Sequence, residues 1–526
     1  MIRPNKSDNA TIAENRLAGS MLIEERQNQQ NEFRNEPMRD FSDKQQRDSF
    51  SKAINKSTIN SVRFIDEVQA IKLIDAAESS FEFWRSIAVY QRAAKLLRAA
   101  EIIRQSRDYL SGIIIKESGK VWREADADVC EAIDFLQFYA RCAVEMSLPE
   151  KLGSYPGELN EHWGEPRGIT VVISPWNFPL AIATGMVAAA LVTGNPVILK
   201  PAEQTSYIAK ILVDFMHQAG VPRQVLLFAP GVGETVGAAL VKDPRVATIA
   251  FTGSKEVGLD IIRTAYDTQS NQSIVKRVIS EMGGKNAIIV DDSADLDQAV
   301  IGVRSSAFDF SGQKCSACSR CIVHKEIYDQ FVNRLVASTK TLIVGDPMEP
   351  GTDVGPLIDE AAAGKVKHYV EVGKKEGKLA IGLNVPDGLE DRVGKPYVAP
   401  HIYTGINQNH KIANEEVFGP VLAIIKADSF EHALKIANAT NYKLTGGVFS
   451  RKPSNLKLAK EKFRVGNLYI NRSITGALVS RQPFGGFGLS GVGEKAGGAY
   501  YLRQFTVPRV CTENTMRRGF APELKD

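Results

Sequence analysis

Four short apolar runs, at residues 169–173, 197–199, 225–228 and 248–251, alternate with longer stretches of helical periodicity, and this alternation restricts the fold more tightly than any other feature. Each run is too short for a buried helix and is bounded by turn residues such as Gly168, Pro196, Pro230 and Gly253, so it reads as a strand buried on both faces. Strands separated by helices pair in parallel, because a parallel neighbour is reached only by a crossover, and the product is a doubly wound sheet. The pattern begins again after residue 281, with strands expected at 287–290, 321–324, 444–449 and 465–470 and helices at 296–310 and 328–342. The expected fold is therefore α/β, with two doubly wound parallel-sheet domains. Upstream, apolar residues recur at helical spacing over 68–118 and 129–143, which gives packing helices whose Trp84, Trp122, Phe135, Phe138 and Tyr139 are assigned to core.

In such sheets ligands bind beyond the carboxyl ends of the strands, so the loops beginning at Ser174, Lys200, Ala229 and Thr252 should line one crevice. What they offer suits a dinucleotide. The run Phe251-Thr252-Gly253-Ser254-Lys255-Glu256-Val257-Gly258 opens a helix whose free N–H groups and positive dipole end suit a pyrophosphate, with Gly253 permitting close approach. Lys200 and Glu203 follow a strand and can each hydrogen-bond ribose hydroxyls. An acid there disfavours the extra phosphate of NADP, so NAD is the expected cofactor. The glycine-rich turn at 231–237 is by itself only a turn.

Reactivity is expected in the run Gly312-Gln313-Lys314-Cys315-Ser316-Ala317-Cys318-Ser319-Arg320, between a helix and a strand. Small neighbours leave Cys315 room for a substrate, and Lys314 beside it would favour thiolate over thiol. The run Glu281-Met282-Gly283-Gly284-Lys285 could fold over that loop and supply a base. A single free cysteine is commonly just a small buried hydrophobe, and Cys315, Cys318 and Cys321 also have iron–sulfur spacing. A cluster needs a fourth ligand, Cys511 is remote, and His324 is the only histidine at ligand spacing, so no metal is expected.

Five motifs, Pro175-Trp176-Asn177-Phe178-Pro179, Phe251-Thr252-Gly253-Ser254, Glu281-Met282-Gly283-Gly284-Lys285, Gly312-Gln313-Lys314-Cys315 and Glu416-Val417-Phe418-Gly419-Pro420, stand in the order and spacing of the aldehyde dehydrogenase superfamily. The chain resembles that superfamily from about Trp84 to Phe505. Within it, the cysteine run, Asn35-Glu36-Pro37, Thr475-Gly476-Ala477 and Gln482-Pro483-Phe484-Gly485-Gly486 most resemble the 1-pyrroline-5-carboxylate (glutamate semialdehyde) dehydrogenases. The resemblance implies NAD-dependent oxidation of L-glutamate γ-semialdehyde to L-glutamate through a cysteine thioester, a step of proline degradation. Oxidation of another small aldehyde on the same fold is the alternative.

By that resemblance Cys315 is the nucleophile, Asn177 and the Cys315 N–H form the oxyanion hole, and Glu281 activates water. Ser174, Pro175 and Trp176, Lys200 and Glu203, and Gly253, Ser254, Val257 and Gly258 are counted with the cofactor. Gly233 would lie toward adenine, with Glu416 and Phe418 at the nicotinamide ribose and ring. Phe178 and Phe484 would hold the substrate's aliphatic middle beside Lys314. Its carboxylate would meet the Ser316 hydroxyl and a small anion nest of N–H groups at Gly476 and Ala477.

The implied divisions are an N-terminal arm at 1–60, an NAD-binding domain at 61–280 with a flap segment inserted at about 147–167, and a catalytic domain at 281–470. Residues 471–510 return to the cofactor domain and add an oligomerisation strand, and 511–526 form a tail. The strand pair that relatives carry, with an Ile-Asn-Pro-Ala-like signature, is not found between Asp40 and Ile74. A β oligomerisation flap implies a homodimer or higher homo-oligomer, which would also cover an exposed edge strand.

Lysine plus arginine number 65 against 61 acids, and a net charge of +4 gives no reason to invoke nucleic acid or an anionic membrane. Six cysteines without an even framework suit a reducing cytoplasm. Residues 1–31 hold Asp8, Glu14, Glu24 and Glu25 and no apolar run, which argues against a signal or transit peptide. The expected partners are a small-molecule substrate and a separate proline dehydrogenase. A relative kept only for binding would not need both Cys315 and Glu281, and an acyl phosphate reductase would not need the hydrolytic base.

Overall fold

The computed structural model describes residues 33–516. Its first sheet has six strands in the spatial order Gly491–Val492, Arg277–Glu281, Thr248–Thr252, Thr170–Ile173, Val197–Lys200 and Leu226–Phe228. All neighbours are parallel except the Gly491–Val492 edge pair. Val171, Val172, Ile198, Leu199, Ile249 and Ala250 are wholly buried, as strands covered by crossover helices on both faces must be. The chain winds outward from Thr170–Ile173 to Leu226–Phe228 and then returns to the other side of Thr170–Ile173. The switch in direction opens a crevice beyond the carboxyl ends of Thr170–Ile173 and Thr248–Thr252.

The second sheet has seven strands in the order Lys378–Gly382, His401–Ile406, Val421–Ala427, Cys318–His324, Asn286–Val290, Thr445–Phe449 and Asn467–Ile470, parallel except at the Lys378–Gly382 edge. Only Met282, Gly283, Gly284 and Lys285 separate Arg277–Glu281 of the first sheet from Asn286–Val290 of the second. The carboxyl edge of one sheet is thereby brought against the amino edge of the other. A third, antiparallel sheet joins Glu150–Lys151, Glu158–Pro166 and Thr506–Asn514. Residues 511–514, expected in a tail, continue this ladder, with Cys511 opposite Glu161. Residues 517–526 of that tail lie outside the described residues.

The N-terminal arm requires a larger correction. Residues 1–32 lie outside the described residues, but 33–60 are built into the fold. Helix Lys44–Lys56 starts on Asp43, whose carboxylate accepts from the Gln45 and Gln46 N–H groups, and buries Phe50 and Ile54 completely. The Phe50 ring lies 5.1 Å from Phe41 and 4.9 Å from Trp122. Polar composition hid this helix, because two apolar residues four apart are enough to anchor it. Among the described residues no strand precedes Glu150–Lys151, and residues 58–65 run to a single backbone bond from the Ile65 N–H to the Pro230 carbonyl. No helix among them is long and apolar enough to cross a membrane.

The buried anchor can be measured. Phe50→Ala is expected to lower unfolding free energy by about 3–5 kcal/mol in urea titration, whereas a solvated arm would give a change within about 0.5 kcal/mol.

Candidate active site

The site begins in an unusual turn. Phe310, Ser311 and Gly312 take left-handed φ values of 51°, 56° and 67°, a conformation that costs a non-glycine residue about 1–3 kcal/mol unless its surroundings hold it. They do: Ser311 Oγ donates to the Gly355 carbonyl at 2.7 Å, and Gln313 accepts from the Ile358 N–H at 3.0 Å while donating to the Pro356 carbonyl at 3.1 Å. At Gly312 a Cβ would stand 2.4 Å from the Gly419 carbonyl oxygen, so the packing demands glycine. The turn delivers Cys315 to the amino end of strand Cys318–His324.

Asn286 fixes it there. Its Nδ2 donates to the Cys315 carbonyl at 2.7 Å and the Ala317 carbonyl at 2.9 Å, and its Oδ1 accepts from the Thr445 N–H at 3.0 Å. Sequence reasoning passed over Asn286; its one signal was its place directly after the Gly283-Gly284-Lys285 run. Asn177, from the loop after Thr170–Ile173, is buried and donates to the Gln313 carbonyl at 3.1 Å, which brings it from the first sheet to the Cys315 turn.

Burial favours the neutral form of both Cys315 and Glu281. Burial, then the Glu281 and Glu416 carboxylates, push the Cys315 thiol up to about 12. Lys314, expected to favour the thiolate, has its Nζ bound by Glu124 Oε1 at 2.7 Å. Glu281 ends strand Arg277–Glu281, and burial pushes its carboxyl up to about 8, partly offset by Lys495. Glu281 Oε2 has no hydrogen-bond partner. Lys495 is missing from the expected set and cannot pair with it closely, since its Nζ already donates to the Gly466 carbonyl, Asn467 Oδ1 and the Gly485 carbonyl at 2.6, 2.7 and 2.9 Å.

Cys315 and Glu281 open onto one cavity of about 400 Å³. Phe178 and Phe484 form apolar walls, and Lys314, Ser316, Thr475, Gly476 and Ala477 line it as well. Gly476 has φ +72° and nothing within 4 Å of where a Cβ would stand, so this piece of backbone is open. Helix Trp122–Met146, read from sequence as packing over 129–143 only, contributes Arg123, Ala127 and Glu131. Their four-residue spacing, one face of a helix, was the legible signal. Phe135 also lines the cavity rather than serving only as core.

The crevice of the first sheet adjoins this cavity. The Ser174 N–H donates to the Lys200 carbonyl at 3.1 Å, which sets the Ser174-Pro175-Trp176 loop beside Lys200. Lys200 Nζ and Glu203 Oε1 are 2.7 Å apart, and a Cβ on Gly233 would lie 3.7 Å from both. Ser254 Oγ accepts from the Val257 N–H at the start of helix Lys255–Tyr266, leaving other first-turn N–H groups for a ligand. Gly258 packs on Met282, where a Cβ would come within 2.7 Å of sulfur. Beyond the carboxyl edge, Val232 and Val257 are 44% and 51% exposed. Glu416 Oε1 accepts from the Gly284 N–H at 2.8 Å, and Phe418, at φ +59°, meets Trp176 edge-on at 5.5 Å. Two uncovered valines, a lysine–carboxylate pair and an open helix start fit a dinucleotide. Among the described residues no group of three or more His, Cys, Asp or Glu is placed to hold a metal ion.

Comparison with known proteins follows the same lines. The chain matches the model of the aldehyde dehydrogenase family over residues 41–511. It is 46% identical over 454 residues to the 1-pyrroline-5-carboxylate dehydrogenase of Geobacillus sp. (strain WCH70), covering 86% of this chain and 87% of that one. Among solved structures, the 1-pyrroline-5-carboxylate dehydrogenase from Thermus with bound NAD superposes with a TM-score of 0.88 at 40% identity, over 92% of this chain and 99% of that one. Proline utilization A (PutA) from Bdellovibrio bacteriovorus gives 0.89 at 44% identity over 93% of this chain, which spans about half, 54%, of that longer protein.

The Glu281 carboxyl has a thermodynamic consequence of definite sign. Folding raises its proton affinity from an ordinary 4.5 to about 8, so the stabilisation is fully present below about pH 4.5 and is lost as pH rises through about 8. Glu281→Gln removes that loss. The variant's Tm advantage over the parent should grow across this window and then level off; a constant difference would show that Glu281 titrates normally.

Proposed function

Because the chain belongs to the aldehyde dehydrogenase family, we propose that it oxidises L-glutamate γ-semialdehyde, the open form of 1-pyrroline-5-carboxylate, to L-glutamate with NAD. One observation carries the reading: a cavity with Cys315 and Glu281 opening onto it, an open Gly476 backbone with the Ser316 hydroxyl, and the Phe178 and Phe484 rings as walls. That shape suits a short apolar chain with an aldehyde at one end and a carboxylate at the other.

In this reading the Cys315 thiol releases its proton to solvent as the sulfur attacks the carbonyl carbon, and the Asn177 amide with the Cys315 N–H holds the developing oxyanion. A bound nicotinamide supplies the hydride acceptor. Glu281 in its ionised form then takes a proton from water, the water oxygen adds to the thioester carbon, the carbon–sulfur bond breaks and the proton held by Glu281 passes to the Cys315 sulfur. Ser254 and the helix it starts bind pyrophosphate, Lys200 and Glu203 bind ribose hydroxyls, and Glu416 and Phe418 position the nicotinamide ribose and ring. Phe178 and Phe484 hold the substrate's methylenes beside Lys314, with its carboxylate on Ser316, Gly476 and Ala477. We place the protein in the cytoplasm, after a separate proline dehydrogenase. The open edge of strand Thr506–Asn514 supports a homodimer or larger homo-oligomer.

The deciding experiment is NADH formation across an aldehyde panel. Charge-assisted hydrogen bonds contribute about 1.5–3 kcal/mol each, so two should favour glutamate semialdehyde over butyraldehyde by roughly a hundredfold or more in kcat/KM. Preference for the uncharged aldehyde overturns the substrate assignment. With the preferred aldehyde, Glu281→Gln should give a rapid burst of NADH without steady turnover, because only hydrolysis needs the base. Absence of a burst would place Glu281 in an earlier step. Comparable kcat/KM for NAD and NADP would remove Glu203 from cofactor choice.

A further inference from the structure

Residues 33–39 do not enter the chemistry above, yet they are fastened to the catalytic cavity's wall. Asn35 Nδ2 and the Glu36 N–H both donate to Asp134, at 2.8 and 2.7 Å. The Pro37 carbonyl accepts from Arg107 Nη1 at 2.9 Å and lies 3.9 Å from Cys130 Sγ, and the Arg39 N–H donates to Asp126 at 3.0 Å. Asp126, Cys130 and Asp134 are four apart and so make one stripe of helix Trp122–Met146. Arg123, Ala127 and Glu131 make the adjacent stripe, and that one lines the cavity.

Between the two anchored backbone positions stands Met38, 55% exposed and itself part of the cavity lining. Its main chain is pinned on both sides, while its unbranched side chain is free to adapt. Resting on the reading that this cavity takes the aldehyde, we propose that the 33–39 strap forms the outer wall of the substrate's approach and that Met38 is a specificity-determining residue there. It sets how bulky an aldehyde can pass to Cys315.

An exposed residue outside the core can be changed with little effect on folding, so size variants are informative. Met38→Trp is expected to lower kcat/KM for phenylacetaldehyde by about tenfold and to leave acetaldehyde within about twofold, with Met38→Ala shifting the ratio the other way. The KM for NAD and the Tm should stay at parent values. Equal effects on both aldehydes, or no effect, would overturn the proposal. A second measurement works without turnover: alkylation of Cys315, followed on its own peptide by mass spectrometry, with iodoacetamide and with N-phenylmaleimide. Met38→Trp should slow the bulky reagent selectively, and equal rates overturn the strap's role. If the parent protein oxidises no aldehyde, the functional reading fails while the alkylation ratio still decides the strap.

Discussion

Three consecutive left-handed residues, Phe310, Ser311 and Gly312, turn the chain from helix Leu296–Phe308 back toward the first sheet, and the site exists only where that turn is held. The restraints come from three separate parts of the sequence. Ser311 and Gln313 bond to the 355–358 segment, Asn177 reaches in from the first sheet, and Asn286 carries the Cys315 and Ala317 carbonyls on one amide. Close packing removes the remaining freedom, since side chains are excluded at Gly312 by the Gly419 carbonyl and at Gly284 by the Cys315 carbonyl. A turn this costly persists because so many fixed groups over-determine it.

The same enclosure sets the electrostatics. Burial disfavours charge on both Cys315 and Glu281, and the Glu281 carboxylate further disfavours the Cys315 thiolate. Two nearby lysines are occupied: Lys314 by Glu124, and Lys495 by three oxygen acceptors. A further buried pair stiffens the cavity wall from behind. Lys120, bound to Asp128 at 2.9 Å, lies 3.7 Å over the Phe178 ring and 5.1 Å from that of Phe310. Asp128 also accepts from the Ala181 N–H, tying three helical segments and one cavity wall to a single carboxylate. Such a pair contributes more to fixing geometry than to net stability, because desolvation offsets much of the attraction.

Much of the architecture was legible in residue order. Runs such as Val197–Lys200 and Asn286–Val290 announce themselves because strands buried on both faces are apolar throughout. Residues 33–60 were not legible, since Phe50 and Ile54 anchor a helix whose other positions are polar. The Arg123, Ala127 and Glu131 face of helix Trp122–Met146 was missed for the converse reason. Its polar stripe resembles a solvated surface until the cavity is seen against it.

The sequence alone determined the two βα series, the turn that carries Cys315 and the glycines that allow backbones to approach, because strand and helix periods and φ preferences are local properties. Only the tertiary structure decided that the carboxyl edge of one sheet meets the amino edge of the other across the four residues 282–285, which makes a loop before a strand share a site with loops after strands. It also decided which charges meet. Lys314 pairs with Glu124, 190 positions away, and Asn35 bonds to Asp134 and to the Val479 carbonyl 444 positions away. A carboxylate's effect on a lysine depends on distance through space and on the water excluded between them, and neither quantity is written in the local order of residues.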